Sequence, residues 1–459
     1  MKNVTLRKLQ KVTMGRLFNA SQILDVEISA IISDSRKVRD DCLFICIKGA
    51  KADGHDYAQA VIENGALAVV SEKELPGFEG PYLLVDSTFE ATKAIAEYYR
   101  QTLDVVFIGV TGSVGKTSTK EMIAEVLSKR YRVHKTQGNL NNEWGVPFTI
   151  FRIKEGTDVA VIEMGINHFG EMDRLAKMVR PDIVVMTNIG QSHLEFLGTR
   201  DGILKAKAEI FHYLSEDGKV ILNGDDDKLS TIKSVKGIRP QFYGLGQQCD
   251  VCAENIVTNG IKGSSFDLVM RDHGSRMAMR INLPVAGKQM IYTALAAYLV
   301  AVNMDISPIV IKDALEHITA GMAGRNNIIQ TDRYTILDDC YNASPASVEA
   351  AIDLLKLTEG RKVAILGDML ELGKDTEKYH YQVGKYVASA GVDLIICVGE
   401  LSEKTQLGAR LNTDNDVQYF HTVEDCIHYL PDLLRKGDNI LVKASHSLNF
   451  SRIVDFLNP

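Results

Sequence analysis

Short runs of consecutive apolar, mostly β-branched residues recur through the middle of this chain, at 105–110, 159–162, 183–186 and 220–222. Unbroken runs of that length suit strands buried on both faces, whereas half-exposed strands alternate. Between them lie segments of helical periodicity at 118–130, 171–179 and 202–214. Strand and helix in alternation predict a parallel sheet with crossover helices. The rhythm returns near residue 325, with strands expected at 335–338, 363–366, 394–398 and 440–442. Before residue 100 the runs are shorter, at 43–47 and 66–70, and 89–100 reads as a helix leading into the central block. From 248 to 285 the pattern becomes short and alternating with Gly-rich turns, which predicts an antiparallel appendage. The fold class expected is α/β, in three blocks.

Length agrees with that division: 459 residues suffice for about three domains. A 45% hydrophobic and 24% charged composition excludes a disordered or fibrous chain. Fifty-two basic against fifty-nine acidic residues give a net charge of −7, so no general attraction to nucleic acid or anionic lipid is expected. Any anionic ligand must be held locally. No apolar run approaches the roughly 18 residues of a membrane span, and the first residues lack a signal-peptide pattern, so a cytoplasmic location is expected. Seven dispersed cysteines read as reduced thiols. Cys249 and Cys252 form an isolated C-x-x-C without a second pair for zinc or a helix start for redox chemistry, so it is read as accidental.

The sharpest chemical signal is Gly109-Val110-Thr111-Gly112-Ser113-Val114-Gly115-Lys116-Thr117-Ser118, between an expected strand and an expected helix. Such a loop holds phosphates on backbone N–H groups and a helix N-terminus, with Lys116 reaching the terminal phosphoryl group and Thr117 ligating Mg²⁺. The position five residues before Gly115 is Val110 rather than glycine, so this is a variant loop. Glu163 ends the next strand and His193 follows another. In an open parallel sheet, strand C-termini share one edge, so both are candidates to hold a divalent cation beside the loop. Asp225-Asp226-Asp227 reads as a solvated turn. Lys207 lies on a helical pattern, and pattern alone makes it a surface lysine.

Together these motifs resemble the Mur ligases, ATP-dependent amide ligases of peptidoglycan synthesis. The resemblance extends over Ser33-Asp34-Ser35-Arg36, Asp53-Gly54-His55, Gly138-Asn139-Leu140-Asn141-Asn142, Glu163-Met164-Gly165, Asn188-Ile189-Gly190 with His193, Gly324-Arg325, Asp338-Asp339-Cys340-Tyr341-Asn342-Ala343 and Gly367–Gly373. It implies a UDP-substrate domain over 1–100, a central ATP-binding phosphate-loop domain over 101–323 and a C-terminal Rossmann-like domain over 324–459. It is strongest to the member that adds D-Ala-D-Ala to a UDP-N-acetylmuramoyl-tripeptide through an acyl phosphate. ATP and Mg²⁺ are then expected as cofactors, and a monomer with neither nucleic-acid partner nor membrane span.

By residue, the resemblance implies nucleotide binding by Gly112, Ser113, Val114, Gly115, Lys116, Thr117 and Ser118, with Arg325, Asp339 and Asn342 arriving from the C-terminal side. Thr117, Glu163, His193 and a carbamylated Lys207 are implied at the metal, and Lys116, Lys207, His193 and Asp339 in catalysis. Ser33, Asp34, Ser35, Arg36, Asn139 and Asn142 are implied at the substrate. Met290 and Thr293 stand where the family has asparagines in its adenine slot, Ser344 replaces an asparagine, and Ala444-Ser445-His446 replaces Gly-Ser-Arg. A folylpolyglutamate-synthetase-like ligase, a nucleotide-holding binding module and a phosphate-loop motor are the competing readings. The N-terminal motif opposes the first, the intact Lys116, Glu163 and His193 the second, and the lack of a coupling signature the third.

Overall fold

The computed structural model describes residues 1–50, 52–272, 275–318 and 327–458. Three sheets follow one another along the chain. The first orders its strands Arg16–Phe18, Tyr82–Leu84, Ala68–Ser71, Cys42–Ile45 and Ala30–Ile32, parallel except at the first pair. Ser87 caps the helix Thr88–Gln101 by accepting from the Glu90 N–H, and this helix leads into the central sheet.

The central sheet has nine strands, parallel from Val133–Lys135 through Val159–Glu163, Val106–Thr111, Ile183–Met186, Lys219–Asn223 and Gln241–Gly244 to Val251–Thr258. Ser264–Asp272 and Ser275–Leu283 extend it antiparallel. The expected appendage is therefore a continuation of the same sheet, and its first strand pairs in parallel. The six-stranded C-terminal sheet runs Asn327–Gln330, Thr335–Asp338, Asn439–Lys443, Lys362–Gly367, Leu394–Val398 and Asp416–Phe420. Only its first pair is antiparallel.

How the cores divide matters for the site. One continuous core joins Leu43, Val70 and Ile95 of the N-terminal part to Phe107, Ile150 and Ile162 of the central part. These two parts are one packed body. The C-terminal sheet is covered by two cores that, apart from Ala286, draw only on its own residues. Hydrogen bonds from His193 and the Glu195 N–H to Glu371 join it to the rest, and an interface with so little shared core permits rigid-body movement.

Candidate functional site

Val106–Thr111 lies between Val159–Glu163 and Ile183–Met186, so the phosphate loop, Glu163 and the segment leading to His193 leave the sheet on one edge. The loop opens the helix Lys116–Leu127. Gly112 has φ +145°, and a Cβ there would fall 1.9 Å from Thr187 Oγ1. Gly115 has φ +84°, also in the region that favours glycine. The glycine displaced from the general pattern is thus required where it stands. Gly112→Ala should destabilise the fold by about 2 kcal/mol or more and abolish the thermal shift induced by ADP. Calorimetry with and without ADP measures both effects.

Residues 187–190 brace the loop. Asn188 Oδ1 accepts from Val114 N–H at 2.9 Å and its amide donates to Val114 O at 3.0 Å. Thr187 Oγ1 donates to Val114 O, and Gly190 N–H donates to Ser113 Oγ. Lys116 Nζ lies over the loop, 2.8 Å from Gly112 O and 3.2 Å from Ser113 O. Behind it, Glu163 is fully buried. Its carboxylate accepts from Thr117 Oγ1 at 2.9 Å and Asn141 Nδ2 at 2.8 Å, with Lys120 Nζ 3.6 Å away. Lys120, itself 1% exposed, also donates to Thr136 O. The carboxylate thus touches the hydroxyl expected to ligate the cation.

Lys207 and Lys205 separate sharply. Lys205 is exposed, while Lys207 is 1% exposed at the end of the helix Arg200–Ala208. Burial, assisted by the positive charge of Lys116, pushes the Lys207 amine well below its ordinary range. His193 takes up a left-handed backbone (φ +62°) at the start of Leu194–Leu197. Its Nδ1 lies 2.5 Å from Glu371 Oε2, and this hydrogen bond holds the Glu371 carboxyl below the usual carboxylate range. The aspartate run is not merely a solvated turn. Asp226 accepts from the N–H groups of Ile189, Lys228 and Leu229, exposed Asp225 accepts from those of Leu245 and Gly246, and exposed Asp227 pairs with Arg200. Ile189, Leu245 and Gly246 lie 20 or more residues away, which is why the local pattern did not reveal these contacts.

A cleft of about 1340 Å³ opens onto the phosphate loop and His193, while Gly112, Thr117, Glu163 and Lys207 do not line it. Ser113, Val114, Gly115, Lys116, Ser118, Asn142 and His193 line one wall, with Asp339, Asn342 and Lys443 on the C-terminal wall. Lys443, 1% exposed, donates to Asp339 Oδ2 at 2.6 Å and Asn342 O at 2.9 Å, a role the sequence did not disclose. Lys443→Met should leave the half-buried Asp339 without its ammonium and lower turnover about tenfold with little change in fold. Steady-state kinetics and circular dichroism separate the two. Asn142 uses its carbonyl oxygen to accept from Gly145 N–H, Asn139 is exposed outside the cleft, and Asn141 is the asparagine that touches Glu163. Met290 packs in the core, while Thr293 and Tyr292 line the cleft. Arg325 lies outside the described residues.

Ser33 and Asp34 instead line a second cavity of about 940 Å³ between the N-terminal and central parts. Asp34 caps the turn Ser35–Lys37, and hydrogen bonds from the Arg36 side chain and backbone hold its carboxyl at about 2. Phe89 and Trp144, tilted against each other with centroids 4.6 Å apart, lie where the helix Thr88–Gln101 meets the large cleft.

Residues 27–100, 110–301 and 324–446 match, in turn, the models of the Mur ligase family catalytic domain, the Mur ligase middle domain and the Mur ligase glutamate ligase domain. The chain belongs to the Mur ligase family. Among its relatives is the UDP-N-acetylmuramoyl-tripeptide–D-alanyl-D-alanine ligase of Bacillus subtilis, 35% identical over 98% of this chain and 97% of that one. A crystal structure of MurF from Acinetobacter baumannii superposes with TM-score 0.89 at 31% identity, covering 99% of both chains. The MurF ligase of Thermotoga maritima in complex with ADP gives TM-score 0.80 at 27% identity, covering 93% of this chain and 96% of that one. No described helix is long and apolar enough to cross a membrane.

Proposed function

We propose that this chain is a cytoplasmic, monomeric ATP-dependent ligase that adds D-Ala-D-Ala to UDP-N-acetylmuramoyl-tripeptide. The observation that carries the reading is the cleft pairing the phosphate loop with Asp339, Asn342 and Lys443, in a chain matching ligases of that activity from end to end. The tripeptide carboxylate attacks the γ-phosphorus of ATP, and ADP leaves. The amine of D-Ala-D-Ala then attacks the acyl phosphate carbonyl, the proton passes to solvent, and phosphate departs as the amide forms. An ionised carboxylate needs no strong base. The obstacle is repulsion between anions, which positioned cations relieve.

Residues 1–100 would hold the UDP moiety, with Ser33, Asp34, Ser35 and Arg36 contributing, 101–323 the phosphates, and 324–459 the second face of the nucleotide. Gly112–Ser118 would cradle ATP, and Lys116 would meet charge developing on the transferred phosphoryl group. Among the described residues no three His, Cys, Asp or Glu side chains converge on one point. The Thr117 hydroxyl and Glu163 carboxylate, 2.9 Å apart beside the loop, are oxygen donors of the kind a hard cation such as Mg²⁺ takes. Thr117, Glu163, His193 and carbamylated Lys207 would hold it, and when bound it would screen the negative charge of ATP and acceptor.

Phosphate release from ATP, measured with UDP-N-acetylmuramoyl-tripeptide, tests the reading. Release should rise at least tenfold on adding D-Ala-D-Ala and be accompanied by a pentapeptide product in mass spectrometry. Tight ATP binding without acceptor-dependent release would contradict it. Sedimentation at the mass of one chain tests the monomer.

A further inference from the structure

Glu371 comes from the C-terminal body, whereas His193 belongs to the central one, 178 residues earlier. Their 2.5 Å contact therefore bridges two bodies with largely separate cores. The loop that delivers Glu371 is clamped to its own body. Asp368 accepts from Ser402 N–H at 2.7 Å and Oγ at 2.6 Å, Met369 N–H donates to His380 Nε2 at 2.9 Å, and Leu370 N–H donates to Ser445 Oγ at 3.0 Å. His380 is fully buried, and its Nδ1 faces Thr376 O at 2.8 Å, so Nε2 remains an acceptor for Met369. Glu371 itself has φ +62°, and Gly373, at φ +69°, lies against the backbone of Glu195. A segment fixed so thoroughly moves with its body. Glu371 can reach His193 only when that body is docked.

We propose that Glu371 is a positioning residue that orients His193 for the divalent cation and makes cation binding depend on docking of the C-terminal body. An ionised carboxylate can only accept, so the proton of a neutral His193 must sit on Nδ1, leaving the Nε2 lone pair free for a cation. Carboxylates that fix a ligand histidine in this way typically change metal affinity by about ten- to a hundredfold. Because the carboxylate arrives from another body, the cation binds the docked form more tightly, and by reciprocity it favours docking. The inference deepens the proposed function, since it rests on His193 as a cation ligand.

Mn²⁺ titrations followed by electron paramagnetic resonance, with saturating ADP, test it on the full chain. Glu371→Gln keeps the shape of the side chain and should weaken Mn²⁺ binding about ten- to a hundredfold. His193→Ala should weaken it at least as much, and adding Glu371→Gln to His193→Ala should weaken it no further, because the carboxylate acts through the ring. Glu377→Gln, an exposed carboxylate of the same body, should leave the affinity unchanged. Wild-type affinity in Glu371→Gln alongside a weakened His193→Ala overturns the role of Glu371 alone. So does equal weakening by Glu371→Gln in both backgrounds. Wild-type affinity in His193→Ala overturns this inference and the His193 assignment together.

Discussion

Lys116→Ala should lower the ligation rate about a hundredfold or more while leaving the fold intact. Lys116 sits at the first turn of a helix whose N-terminus already favours anions, with its ammonium over the loop carbonyls of Gly112 and Ser113. Nucleotide charge arriving there would offer the ammonium a stronger partner than two neutral carbonyls. As the phosphoryl group transfers, charge accumulates on its oxygens, and one preorganised donor at that point is typically worth a hundred- to a thousandfold in rate. The loop would survive the loss, because it is braced through Ser113, Val114, Thr187 and Asn188 rather than through the lysine. Kinetics with circular dichroism as control measure the effect. Near-normal turnover in a folded variant would remove the loop from the mechanism.

The second large effect is expected at Lys207. Carbamylation needs a neutral amine, and burial beside the Lys116 charge makes this amine far easier to deprotonate than an exposed lysine. The adduct replaces a positive charge with oxygen donors suited to a hard cation, and ligation would in turn stabilise it. Lys207→Ala should lose about a hundredfold in activity and regain part of it with added short-chain carboxylates, by analogy with losing a transition-state charge partner. Lys205→Ala should do neither, since Lys205 is exposed on another face of the same helix. Carbon-13 NMR after exposure to labelled bicarbonate gives a readout independent of turnover. A carbamate resonance should appear in the wild type and vanish in Lys207→Ala. Full activity in Lys207→Ala would restore the surface-lysine reading, which the burial of this side chain already opposes.

What the sequence disclosed and what it hid follow from the range of the interactions. The phosphate loop is local: strand, glycines, lysine and helix are contiguous, so Gly112–Ser118 could be read directly. Glu163 and His193 were accessible because parallel topology sends successive strand ends to one edge. Lys207 was not accessible from pattern, since a helix lysine is usually solvated, and only family resemblance singled it out. The contacts of Lys120, Asn188, Lys443 and Glu371 were hidden, although Asn188 and Glu371 stand in motifs that carry the resemblance, because key partners lie far away in sequence, 104 residues for Lys443 with Asp339. Asp226, which holds the Ile189 N–H 37 residues away, was misread for the same reason. Among strands, Gln241–Gly244 and Asp416–Phe420 escaped because polar residues interrupt the apolar runs that marked the others. Two independently packed bodies separated by a cleft could not be inferred from periodicity, because that depends on which apolar faces share a core.

The central claim is that the cleft joins carboxylate and amine through an acyl phosphate. It is tested most directly by supplying UDP-N-acetylmuramoyl-tripeptide labelled with oxygen-18 in the terminal carboxylate, together with ATP and D-Ala-D-Ala. One carboxylate oxygen then stays in the amide and the other leaves with the phosphoryl group. Mass spectrometry should find one labelled oxygen in the inorganic phosphate released for each amide formed. Unlabelled phosphate accompanying amide formation would rule out the acyl phosphate, and release of phosphate without amide would contradict the ligase itself.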